Sequence, residues 1–180
     1  MKKIALIGMM GSGKSEIGCL LARNYGIDFI DMDRSIEENT KTTIPAIFRD
    51  FGEEYFRDLE ENQLAIMAAT PRSFVLSCGG GVVLRDFNRM ILKNSFLTIW
   101  LDVSIAELKR RLQDQRHQRP LLQSEEWESK IEEIYCQRHE LYRSAARIRY
   151  AWENNHSLEE SAIDIQKLID AAYNGISGRT

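Results

Sequence analysis

The chain has 180 residues, 43% of them hydrophobic and 28% charged, with a formal net charge of −3. This suffices for one globular unit with a sizeable core; no long basic run marks a nucleic-acid partner, and no apolar stretch approaches the ~20 residues of a membrane span. Three cysteines, Cys19, Cys78 and Cys136, are too scattered for a disulfide framework or a metal site, so reduced thiols in a cytoplasmic protein are expected.

The chain begins MKKIALIGMM, two lysines and an apolar run that superficially resemble a signal peptide. The run breaks at GSGKS with no small-residue cleavage site, and residues 3–7 read instead as a strand. Residues 8–15, GMMGSGKS, place Gly8, Gly13, Lys14 and Ser15 in the pattern G-x-x-x-x-G-K-[ST] between that strand and a helix over 14–25. Glycines let such a loop curl so that backbone N–H groups point at phosphate oxygens. The helix behind it contributes about half a positive charge at its N-terminus. Lysine then reaches the β- and γ-phosphates, and the serine hydroxyl ligates Mg²⁺. ATP or another nucleoside triphosphate with Mg²⁺ is therefore expected, without an acceptor being named.

A second strand, 27–31, ends in Asp31-Met32-Asp33. Ligands of open parallel sheets sit at the carboxyl ends of strands, and alternation along an extended chain puts Asp31 and Asp33 on one side. One carboxylate could hold a Mg²⁺ water and the other accept a hydrogen bond from an acceptor hydroxyl. Alternatively Asp33 caps a helix starting near Arg34. Helices follow over 45–51, with Pro45 in the first turn, and over 53–69. Arg57 in the latter, taken alone, reads as a surface partner of Glu61 at i,i+4.

The third strand, 74–78, runs into Gly79, Gly80 and Gly81. Three consecutive glycines are costly to order, and suggest close approach of something to the backbone. A fourth strand, 96–101, precedes a helix over 104–115 opened by the capping pair Ser104 and Glu107. Residues 112–124 are polar, with Arg116, His117 and Arg119 before Pro120, and read as a lid or as a solvated basic loop. An arginine delivered by a lid can neutralise a transferring phosphoryl group. A helix over 125–144 carries Arg138; a weak strand, 147–151, and a helix over 158–173, capped by Ser157 and Glu160, complete the chain. Strands alternating with helices predict an α/β fold, a parallel sheet covered on both faces, in a single domain over residues 1–175.

The ordered set GMMGSGKS, DMD, FRDLE (56–60), GGG (79–81), RPLL (119–122) and RHELY (138–142) resembles the shikimate kinase family over about residues 3–170. The resemblance implies a three-layer αβα P-loop fold related to nucleoside monophosphate kinases, with a five-stranded parallel sheet in the order 2-3-1-4-5. It implies a substrate-binding region of about 33–61 and a lid of about 112–124. Gly11, Ser12, Gly13, Lys14, Ser15 and Glu16, with Arg111 near the adenine and Arg119 at the transferring phosphate, would bind ATP. Ser15 would ligate Mg²⁺ with Asp31 in its outer shell. Asp33 would orient or deprotonate the attacking hydroxyl, Arg57 and Arg138 would grip the shikimate carboxylate with Glu60 orienting Arg57, and Gly79, Gly80 and Gly81 would face the shikimate ring. Lys14, Asp33 and Arg119 would form the catalytic set of a monomeric enzyme.

Two departures from the family stand out. Glu140 occupies a place where the family commonly has proline, and WENNHS (152–157) does not match the family's adenine-side pattern. Kinases of gluconate or of nucleoside monophosphates share the phosphate loop but not the combination DMD, FRDLE and GGG. A nucleotide-binding regulator without catalysis is the reading from another class.

Overall fold

A computed structural model describes residues 1–113, 126–152 and 156–177, with side chains up to residue 174. Five strands, β1 (Lys3–Ile7), β2 (Asp28–Asp31), β3 (Phe74–Ser77), β4 (Leu97–Asp102) and β5 (Ile148–Ala151), form one parallel sheet in the order β2-β3-β1-β4-β5. The helices are α1 (Lys14–Tyr25), α2 (Met32–Thr40), α3 (Ile44–Ala69), α4 (Asp86–Ser95), α5 (Ile105–Leu112), α6 (Trp127–Ala145) and α7 (Leu158–Ser177).

Alternation along each strand divides the core in two. Ile4, Leu6, Val75, Ile99 and Leu101 pack under α1 and α7. Ala5, Ile7, Phe74, Leu76 and Trp100 face the other way, toward α3, α4 and α6. Because both faces are covered, the strands read as continuous apolar runs. Each fully buried leucine or isoleucine contributes about 1.5–3 kcal/mol before entropy is counted.

The helix ends follow the capping residues. Ser104 Oγ accepts from the Glu107 N–H at 3.3 Å, while the Glu107 carboxylate turns to arginines instead of closing the box. At α7 the box is reciprocal: Ser157 Oγ accepts from the Glu160 N–H at 3.1 Å, and Glu160 Oε2 accepts from the Ser157 N–H at 2.8 Å. The predicted pair 45–51 and 53–69 is one element, α3, broken at Gly52, where φ 84° and ψ 171° lie outside the helical region. Only glycine adopts that backbone without strain.

Two expectations need correction. Asp31, not Asp33, caps α2, accepting from the Arg34 N–H at 3.2 Å. The chain becomes helical at Met32, so the extended alternation that would have aligned Asp31 with Asp33 ends one residue too early. Helix α4, over residues 86–95, has no counterpart among the predicted elements. Among the described residues no helix is long and apolar enough to cross a membrane.

Candidate active site

The carboxyl ends of β1, β2 and β3 open into one cleft. The loop after β1 enters α1 through Gly13, whose φ of 87° and ψ of 18° turn the chain left-handed at the N-cap. Lys14 follows and is nearly buried. Its Nζ donates to the Gly8 carbonyl at 3.0 Å and the Met9 carbonyl at 2.8 Å, so the ammonium is folded against its own loop. Ser15, in the first turn of α1, donates to Asp31 Oδ2 at 2.7 Å and lies 3.1 Å from the Ser77 hydroxyl. Three neighbouring elements thus bring oxygen donors together beside the phosphate loop. Glu16 also lines the cleft.

Arg57, Glu60, Arg138 and Tyr142 cluster on the other side of the glycine segment. Arg57 is 6% exposed and Glu60 is 0% exposed. Arg57 donates to Glu60 Oε2 at 2.8 Å and to Glu53 Oε1 at 2.8 Å. The partner at i+4 suggested by the sequence, Glu61, lies 3.5 Å from Arg85 instead. Buried arginines of this kind hold a planar fork that lysine could not reproduce.

Burial pushes the Glu60 carboxyl up to about 7, against the pull of Arg57 and with help from Asp33. Its Oε1 has no hydrogen-bond partner among the described residues. For Arg57 itself burial works downward, and the carboxylates of Glu60 and Glu53 more than offset it, so the guanidinium stays charged.

Arg138 and Tyr142 are one helical turn apart on α6, and both reach the Gly80 carbonyl, at 3.0 Å and 2.5 Å. Burial raises the Tyr142 phenol to about 12, which keeps it a donor. Helix α6 runs unbroken through Glu140, which is exposed and paired with Arg143.

The triple glycine has a reason the sequence did not supply. Added Cβ atoms would meet protein. At Gly79 one would lie 2.7 Å from both Asp33 Oδ1 and Glu60 Oε1. At Gly80 it would press on the Met10 N–H at 3.3 Å, and at Gly81 it would overlap the Arg57 guanidinium. The segment is bare because the carboxylates, the phosphate loop and Arg57 all pack directly on its main chain. The same three residues line the cleft.

Arg111, near the C-terminus of α5, reaches the phosphate loop by donating to the Gly11 carbonyl at 3.4 Å. Leu112, at the proposed start of the lid, is instead buried beneath Gly11. Arg119, with Arg116 and His117, lies outside the described residues. The cleft therefore joins Gly11, Gly13, Lys14, Ser15, Glu16, Asp31, Asp33, Arg57, Gly79, Gly80, Gly81, Arg111 and Arg138. Ser12 sits behind them, fully buried. Sequence reasoning gave no role to Ser77, Glu53 or Tyr142. Ser77 was signalled by a polar residue near the end of an apolar strand, and Tyr142 by its i+4 spacing from Arg138.

A glycine-rich loop ending in Lys14 and Ser15 at the central strand of a 2-3-1-4-5 parallel sheet, with two buried arginines beside the neighbouring strand end, marks a P-loop small-molecule kinase, an ATP-dependent phosphotransferase. The shikimate kinase family model matches residues 10–170. A shikimate kinase of Thermodesulfovibrio yellowstonii is 43% identical over 145 residues, 81% of this chain and 83% of its own. One from Synechococcus elongatus is 39% identical over 165 residues, 92% of this chain and 83% of its own. The structure of the Acinetobacter baumannii shikimate kinase in complex with shikimate superposes with a TM-score of 0.90 at 33% identity, covering 96% of this chain and 94% of that one. The chain belongs to the shikimate kinase family.

Proposed function

We propose that the cleft transfers the γ-phosphoryl group of ATP to the 3-hydroxyl of shikimate, giving shikimate 3-phosphate and ADP in the biosynthesis of aromatic amino acids. The observation that carries this reading is the pair of buried arginines, Arg57 and Arg138, flanking the glycine segment on which Asp33 also lies. Two such guanidiniums suit the carboxylate of a small acid. Across the segment, Gly11 to Glu16 hold the phosphates.

The Ser15 hydroxyl, Asp31 and Ser77 offer hard oxygen donors of the kind Mg²⁺ accepts while keeping several waters. A Mg²⁺ held there with the nucleotide would supply neutralisation of phosphate charge. Ser15 would ligate it directly, and Asp31 would orient a water. Lys14 leaves its loop carbonyls for phosphate oxygens, and Arg119 supplies a second cation at the transferring group.

Phosphoryl transfer of this kind depends mainly on positioning and charge neutralisation. Asp33 therefore acts by orienting the 3-hydroxyl in line with the γ-phosphorus and accepting its proton as the bond forms. Glu60 keeps Arg57 aimed at the acceptor carboxylate. Free thiols at Cys19, Cys78 and Cys136 support a cytoplasmic location, and a monomer is proposed, with sedimentation at single-chain mass as its expected result.

The experiment is a panel of acceptors in a coupled ADP-release assay. Turnover with shikimate alone is expected. Turnover with gluconate or a nucleoside monophosphate but not shikimate would overturn the acceptor, and ATP binding without any acceptor-dependent turnover would indicate a regulator.

A further inference from the structure

The segment that opens at Trp152 departs from the family pattern, yet its first residue is firmly built into the cleft. Trp152 follows β5 directly, and its backbone N–H donates to the Asp102 carbonyl at 2.9 Å, fixing it to the end of β4. Its indole meets Tyr150 edge-on, with centroids 6.4 Å apart and planes at 88°. Tyr150 is itself packed in the core beneath α1 and α7. The indole is thus held from behind.

Arg111 lies on this indole, with the guanidinium carbon 4.4 Å from the ring centroid. Its Nε donates to Glu107 Oε1 at 2.6 Å, and a terminal nitrogen reaches the Gly11 carbonyl at 3.4 Å. A Cβ built on Gly13 would sit 3.8 Å from that same nitrogen. An otherwise flexible side chain is therefore fixed at three points beside the phosphate loop. Both Arg111 and Trp152 line the cleft.

The partners of Arg111 also indicate what it is for. Arg110 and Arg111 hold the Glu107 carboxyl down to about 2, so Glu107 stays ionised and offsets the charge of Arg111. A guanidinium neutralised along one edge is poorly placed to serve as a phosphate clamp. Held against an indole at the edge of the cleft, a guanidinium is a planar, weakly hydrated group suited to a heteroaromatic ring.

We propose that Trp152 is a positioning residue for the nucleobase: its indole holds the Arg111 guanidinium flat, and the purine of the nucleoside triphosphate stacks on the guanidinium's other face. This rests on the nucleotide site proposed above and adds to it the residue that orients the base.

The test compares Trp152→Leu with Trp152→Phe by steady-state kinetics in both substrates, with inorganic tripolyphosphate as a competitor that lacks a base. Trp152→Leu is expected to raise the KM for ATP by about tenfold, because the guanidinium loses the cation–π support that keeps it against the base. The KM for shikimate and the inhibition by tripolyphosphate stay unchanged, and Trp152→Phe recovers most of the loss. An unchanged KM for ATP would overturn the proposal. So would an equal weakening of tripolyphosphate, because Trp152 would then be shaping the phosphate loop. If Trp152→Leu does not fold, Arg111→Lys keeps the charge, removes the plane and reads the same split between ATP and tripolyphosphate. Lys14→Met is expected to weaken ATP and tripolyphosphate alike. If it did not, the nucleotide site itself would be wrong, a failure distinct from that of Trp152.

Discussion

Ser15 donates its hydroxyl hydrogen to Asp31 across 2.7 Å, linking the first turn of α1 to the end of β2. The bond fixes the direction of the serine lone pairs at the edge of the phosphate loop. Asp31→Asn is expected to raise the Mg²⁺ concentration needed for half-maximal activity by about 10–100-fold, the usual effect of losing an outer-shell partner. The KM for shikimate stays near its original value. A Mg²⁺ titration at saturating ATP and shikimate checks this, and an unchanged requirement would separate Asp31 from the metal.

Arg57→Ala is expected to do two things at once. It removes a cation from the acceptor pocket, raising the KM for shikimate by roughly 100-fold, as loss of a charged hydrogen-bond pair implies. It also strands Glu60, which is 0% exposed, and breaking a buried pair by deleting one partner costs about 3–5 kcal/mol. Adding Glu60→Gln should recover much of the melting temperature without recovering the KM. Thermal denaturation and shikimate kinetics on the single and double variants separate the two effects. An unaltered KM would move the carboxylate grip elsewhere.

Glu60 also predicts a pH dependence. Its carboxyl is raised in the folded protein, from an ordinary 4.5 to about 7, with burial as the main cause. Between these values the folded state holds a proton that the unfolded chain has released, so stability falls as pH rises. The contribution is complete below about 4.5 and gone above about 7. Melting curves from pH 4 to 8 should show the wild type losing stability relative to Glu60→Gln across this window. Parallel curves would mean that Glu60 titrates alike in the folded and unfolded states.

Gly81→Ala places a methyl group where the Arg57 guanidinium lies. Overpacking of this kind costs about 1–3 kcal/mol, and the displaced arginine should weaken shikimate binding while ATP binding is spared. Substrate KM values and a melting curve give the answer. A variant with normal shikimate kinetics would show that Arg57 can shift without consequence.

Much of this arrangement was legible in the sequence because it depends on local chemistry. The phosphate loop declares itself through glycine, lysine and serine at fixed spacing, and the strands through apolar runs. The break at Gly52 follows from glycine between two helical patterns. What was hidden depends on tertiary packing. The i+4 spacing of Arg57 and Glu61 suggested a surface pair, but burial of the helix face selected Glu60 and Glu53 instead. The role of the glycines at 79–81 required knowing that Asp33, the Arg57–Glu60 pair and the phosphate loop converge on them from three different parts of the chain. Helix α4 escaped notice because only Asn88 and Leu92 of its ten residues are buried, too few to give a clear period.

Arg138 and Tyr142 converge on a single carbonyl oxygen, that of Gly80, and the same peptide abuts the backbone at Met10. The arginine proposed to recognise the acceptor is therefore also a strut of the scaffold between the two substrates. Retuning acceptor choice at position 138 would disturb the nucleotide side as well, so that position is a poor starting point for redesign. Glu53 offers more latitude, because this anchor of Arg57 is 45% exposed and can be altered from the solvent side without stranding Glu60.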